Sequence, residues 1–77
     1  MKRFGQDTAP WVSQALASAL VNKGFRLGQL GRSEEEIAVY DGLVERFGQD
    51  TEPGVREQVA GALRNKGVTL GQLGRGE

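Results

Sequence analysis

The sequence predicts an all-α fold of three antiparallel helices in the order A–B–A, cut from a helical-repeat solenoid. Three observations carry this expectation. Residues 3–34 (RFGQDTAPWVSQALASALVNKGFRLGQLGRSE) recur without a gap as residues 46–77 (RFGQDTEPGVREQVAGALRNKGVTLGQLGRGE), at an offset of 43 and with 21 of 32 positions identical. Repetition on that scale belongs to stacked helical units, each hiding its apolar face against the next. Apolar residues recur at steps of three and four, the helical period. Pro opens the two A segments and Gly closes all three, in keeping with helix-end preferences. The 77 residues form one domain, with helices expected at about 9–30, 33–47 and 53–73.

In the first A helix, Pro10 suits the first turn, where its missing N–H has no partner to lose. Asp7 and Thr8 stand just before it and supply capping oxygens. Val12, Leu16, Ala19, Leu20, Lys23, Leu27 and Leu30 make the stripe, with Lys23 its one interruption. Gly31 fits the left-handed residue that closes a helix. The B helix starts at Ser33, which with Glu36 reads as an S-x-x-E capping box, and Glu34, Glu35 and Glu36 suit the positive end of the macrodipole. Its stripe is Ile37, Tyr40, Leu43, Val44 and Phe47; Gly42 within it is read as a point of close backbone approach, and Gly48 ends it. The second A helix, between Thr51 and Gly74, repeats the first stripe as Val55, Val59, Ala62, Leu63, Leu70 and Leu73. Short connections make neighbouring helices antiparallel.

Composition narrows the function. The chain has no Cys and no His, so thiolate metal sites, disulfides and the commonest general base near neutral pH are absent. Lys plus Arg and Asp plus Glu are ten each, which lacks the basic footprint of nucleic-acid binders. No stretch reaches the roughly 18 apolar residues of a membrane span, and the first residues, MKRFGQDTAP, contain no apolar run of signal-peptide length. A cytoplasmic protein is expected, without cofactor, and not an enzyme. A domain this small buries only about 60% of its unfolded surface, so association is an expected source of stability.

At the A–B junction, Leu20-x-x-Lys23-Gly24-x-x-Leu27, then Gly31, Ile37 and Tyr40, resembles a tetratricopeptide repeat. In that family a large apolar residue and a Gly sit in the first helix, a Gly lies near the turn and an aromatic sits in the second helix. Gly24, Gly31 and Tyr40 match; Leu20 and Leu27 stand where aromatics are usual, and Lys23, Glu36 and Gly48 depart from the pattern. The period of 43 exceeds the family's 34, and other helical pairs, HEAT repeats among them, have periods near it. The resemblance implies a non-catalytic protein–protein interaction module, with the inner face of the array drawn mainly from A helices. It maps Ser18, Val21, Asn22, Phe25, Gly28 and Gln29 to that face, with Gly61, Arg64, Asn65, Val68, Gly71 and Gln72 one repeat on.

The copies differ in one direction. Trp11, Ala15, Val21 and Phe25 become Gly54, Gln58, Arg64 and Val68, so the first A helix carries an extra apolar or bulkier side. The preferred reading is that a second copy covers it, a twofold dimer burying Trp11, Val21 and Phe25, because left in water they form the kind of patch that marks an interface. Two alternatives stay open: a peptide groove on the inner face, or a truncated segment of a longer array. The interface candidates are Trp11, Ser18, Val21, Asn22, Phe25 and Gln29 on the first A helix, with Arg64, Val68 and Gln72 on the second.

Sharper chemical readings weigh less. Glu34, Glu35, Glu36, Asp41 and Glu45 are expected to form a solvated acidic face, since no spacing matches a calcium loop. The glycines of Gly24–Gly31 lie within and at the end of a helix, where a phosphate cradle does not form; Gly24 and Gly28 are read as close-packing positions. Lys23 and Lys66 are read as stems lying along a helix with the ammonium in water, and Tyr40 as a core residue whose hydroxyl reaches a polar partner or water.

Overall fold

The structure, a computed structural model, describes residues 9–74. They are all-helical: α1 spans Pro10–Gln29, α2 Ser33–Phe47 and α3 Pro53–Gln72, and each helix touches both others. No strand occurs among the described residues. The α1 cap candidates Asp7 and Thr8 lie outside them; the residue at the cap position is Ala9, which makes no side-chain cap bond.

Each helix end has a local cause. Gly31 adopts φ +81°, the left-handed position that the sequence predicts. The Gly31 amide donates to the Gly28 carbonyl and the Arg32 amide to the Leu27 carbonyl, which is the paired closure of a Schellman turn. The capping box at Ser33 does not form. The helix begins one residue earlier than a box requires, with Ser33 already inside the first turn and Arg32 at the cap, and no side chain caps it. Glu36 turns inward instead. At α3 the cap is built from carboxylates: Asp50 accepts from the Glu52 amide at 2.8 Å, and Glu52 accepts from the Gly54 amide at 2.9 Å.

Contacts between helices define their directions. On α1 and α2, Gly24 lies against Tyr40 and Gly28 against Glu36, so four steps forward on one are four steps back on the other. On α2 and α3, Asp41 meets Lys66 and Glu36 meets Thr69, again antiparallel. On α1 and α3, Gln14 meets Gly54 near the start of both, so the two A helices run the same way.

The core is one cluster of Ala17, Tyr40, Leu43, Phe47, Val55 and Ala62, with Leu20, Val21 and Val59 packed on it. The α2 stripe is as expected, with Ile37 and Val44 half-buried at its margin. The α1 stripe is corrected: among the described side chains of α1 the one buried apolar residue is Ala17, which the stripe omits, whereas Leu16, Ala19 and Leu30 are exposed. Leu63 in α3 and Leu73 at its C-cap are likewise exposed. A stripe read from one helix assumes cover over its full width, and each A helix here is covered on one flank. Gly42 is corrected too. It faces open space, with nothing within 4 Å of an added Cβ, so it is no point of close approach.

Gly24 and Gly28 are the close-approach positions. A Cβ on Gly24 would stand 2.8 Å from Tyr40 Cζ, and one on Gly28 would stand 2.7 Å from the Glu36 carboxyl carbon. The absence of both lets α2 lie directly on the α1 backbone.

Candidate functional site

Glu36 is the residue that sequence reasoning misplaced. It is 4% exposed and does not belong to the solvated acidic face. Tyr40 Oη donates to its Oε2 at 2.9 Å, and Thr69 Oγ1 donates to its Oε1 at 3.0 Å. A carboxyl buried in this way needs partners, and it has one on its own helix and one on α3. Glu36 thereby ties α2 to α3 while occupying the space that Gly28 leaves on α1, so it touches all three helices. Of the other acidic residues, Glu34, Glu35, Asp41 and Glu45 are exposed. Asp41 accepts from Lys66 Nζ at 2.6 Å, so that ammonium is paired, not merely solvated. Among the described residues no group of three or more His, Cys, Asp or Glu side chains is placed to hold a metal ion.

Tyr40 is fully buried, and its phenol is pushed up from the ordinary 10.0 to about 12. Burial is the largest cause, followed by the hydrogen bond to Glu36 and that group's negative charge; the Asn65 side chain on the hydroxyl acts in the opposite direction. An acid whose folded pKa is raised stabilises the fold fully below the unfolded value. That contribution is lost as pH rises from 10 through 12, at about 1.4 kcal/mol per pH unit for one group. Tyr40 is the only tyrosine in the chain, so phenolate absorbance reports it alone. The expected midpoint is near 12 in the folded protein and near 10 in denaturant. A folded-state midpoint at 10 would show that neither the burial of the phenol nor its Glu36 contact holds in solution.

Above this network α1 and α3 leave an open cleft of about 200 Å³, lined by Phe25, Gly28 and Gln29 on one side and Asn65, Val68, Thr69 and Gln72 on the other, with Glu36 contributing from α2. The structure thus brings together four of the nine interface candidates, Phe25, Gln29, Val68 and Gln72. Phe25 and Val68 are each 55% exposed, an apolar pair flanked by side-chain amides. Such a cleft offers apolar cover and hydrogen-bonding groups to an extended or helical segment.

The other five candidates do not line it. Trp11 stands near the start of α1, 70% exposed. Asn22 and Arg64 are exposed, and Ser18 is half-buried. Val21 is half-buried and packed on this chain's own core, so its apolar character is partly accounted for internally. Reasoning missed Glu36 and Thr69. Two signals were present: the four-residue spacing of Glu36 from Tyr40, and the change of exposed Arg26 to Thr69 between copies.

The fold and this surface define an all-α chain of three helices with a cleft between its two A helices. No helix among the described residues is long and apolar enough to cross a membrane. Comparison with protein-family models, curated proteins and solved structures finds no match to the chain.

Proposed function

We propose that this chain is a non-catalytic protein–protein interaction module, a piece of tetratricopeptide-like solenoid that associates with copies of itself. One observation carries the reading: residues one repeat apart have opposite burial. Ala17 is buried and its copy Ala60 exposed; Leu20 packs on the core and Leu63 is 50% exposed. On the other flank the order reverses, with Ala62 buried and Ala19 exposed, and Val59 packed while Leu16 is exposed. Each A helix has two faces built for cover and one of them filled. Exposed apolar residues grouped on one helix face are what an interface would cover.

Trp11 supports the same reading. Its copy, Gly54, lies against Gln14 of the preceding A helix. Trp11 sits at the position that would meet such a helix, and it is exposed. A second copy supplies that cover. In light scattering at high micromolar concentration the chain is expected to have the mass of a dimer or larger assembly. Trp11→Ala and Phe25→Ala are expected to shift it toward the monomer. A monomer mass for the parent chain rejects self-association.

The cleft favours a second reading within the same class, a groove for a peptide. Phe25 and Val68 would seat an apolar side chain, and Gln29, Asn65 and Gln72 would bond its backbone. A monomer that binds peptides, and loses them on Phe25→Ala, would select it.

A further inference from the structure

The bare face of α3 is a copy of a face whose occupant is visible in this chain. Ala17, Leu20, Gly24, Leu27 and Gly28 recur as Ala60, Leu63, Gly67, Leu70 and Gly71. On α1 they seat α2: the missing Cβ of Gly24 admits the Tyr40 ring, that of Gly28 admits the Glu36 carboxyl, and Ala17 and Leu20 belong to the shared core. On α3 Ala60, Leu63, Gly67 and Gly71 are exposed or nearly so, and neither glycine has an atom within 4 Å of an added Cβ. Glycine inside a helix weakens it relative to alanine. Two of them with nothing against them serve no packing within this chain, and their spacing matches the one that receives an aromatic ring and a carboxyl on α1.

We propose that α3 is a docking seat for an amphipathic helix carrying the pattern of α2, Glu-x-x-x-Tyr-x-x-Leu-x-x-x-Phe. The register follows from the α1–α2 contacts. Glu lies at Gly71, Tyr at Gly67, Leu near Leu63 and Phe at Ala60, antiparallel to α3. A second observation agrees with it. A cleft of about 200 Å³ lined by Phe47, Arg56, Val59, Ala60 and Leu63 opens where that register places the Phe ring. The proposal rests on the bare-face reading above but names a different occupant, a single helix instead of a whole second copy.

The test uses the full chain and a fluorescein-labelled peptide of residues 33–47, followed by anisotropy, with molar mass measured in parallel. The expected result is saturable binding of one peptide per chain. Gly67→Leu fills the seat of the Tyr ring and is expected to weaken binding by at least about tenfold, as is replacing the peptide's Tyr with Ala. Because nothing surrounds Gly67, the Gly67→Leu chain is expected to melt no lower than the parent, which separates lost binding from lost folding. Gly42→Leu, at a glycine equally free of neighbours but on α2, is expected to leave binding unchanged. Absence of saturation at millimolar peptide, or equal binding by Gly67→Leu, overturns the proposal. A chain that stays dimeric and ignores the peptide overturns the seat and keeps self-association. A monomer that binds the peptide, and loses it on Gly67→Leu, keeps the seat and removes self-association.

Discussion

Glu36→Ala is expected to lower the free energy of unfolding by about 2–4 kcal/mol, and Glu36→Gln by no more than about 1 kcal/mol. The alanine variant removes the acceptor for two hydroxyls at once, Tyr40 Oη and Thr69 Oγ1, both in buried surroundings. A buried donor left without a partner costs about 1–3 kcal/mol. The cleft beside Glu36 admits water, which offsets part of that loss and keeps the sum below the upper limit. Glutamine keeps an acceptor oxygen for one hydroxyl, and its amide donates to the other, which can accept. Against a total stability of about 4–11 kcal/mol for a chain of this length, the alanine loss is a large fraction. Urea unfolding of the three proteins measures it. An alanine variant within about 0.5 kcal/mol of the parent would mean the network contributes nothing.

Glu36 also shows where the sequence could be read and where it could not. The three helices and the left-handed Gly31 follow from local rules, because propensity, Pro, Gly and period act within a few residues. Glu36 obeys a local rule too, the S-x-x-E signature, and that rule gives the wrong answer. A start one residue earlier moves Ser33 from the cap into the helix, and Glu36, four residues before Tyr40, shares that residue's inward face. What decides its role is a space left by Gly28 eight residues earlier and a hydroxyl from Thr69, 33 residues later. Neither is visible to a window of one helix. The width of the A-helix stripes is likewise set from outside the helix. Leu16 and Leu63 look like core residues by period, yet the helix that would cover each is not present in the described chain.

The repeat supplies a cleaner experiment than any single site, because Gly24 and Gly67 lie in identical local sequence, Asn-Lys-Gly, at the same point of their helices. Gly67→Ala is expected to stabilise the chain by up to about 1 kcal/mol, the ordinary helix-propensity gain, since its Cβ enters open space. Gly24→Ala receives the same gain and meets the Tyr40 ring, whose Cζ would lie 2.8 Å from the new carbon. Tyr40 has no exposed surface and its hydroxyl is held by Glu36, so the ring cannot swing aside without breaking that bond. Either α2 lifts from α1 or the ring leaves its place, an overpacking cost of about 1–3 kcal/mol. A net destabilisation of about 1–2 kcal/mol is expected at Gly24. Local propensity largely cancels between the two variants, so the difference in their urea midpoints, at equal slope, isolates the helix–helix contact. Equal stabilisation at both positions would mean that α2 does not lie on α1 as closely as the Gly24 and Gly28 contacts require. The same pair of measurements reads the bare face of α3: once a helix with the pattern of α2 is bound there, Gly67→Ala takes on the penalty of Gly24→Ala, and its sign reverses.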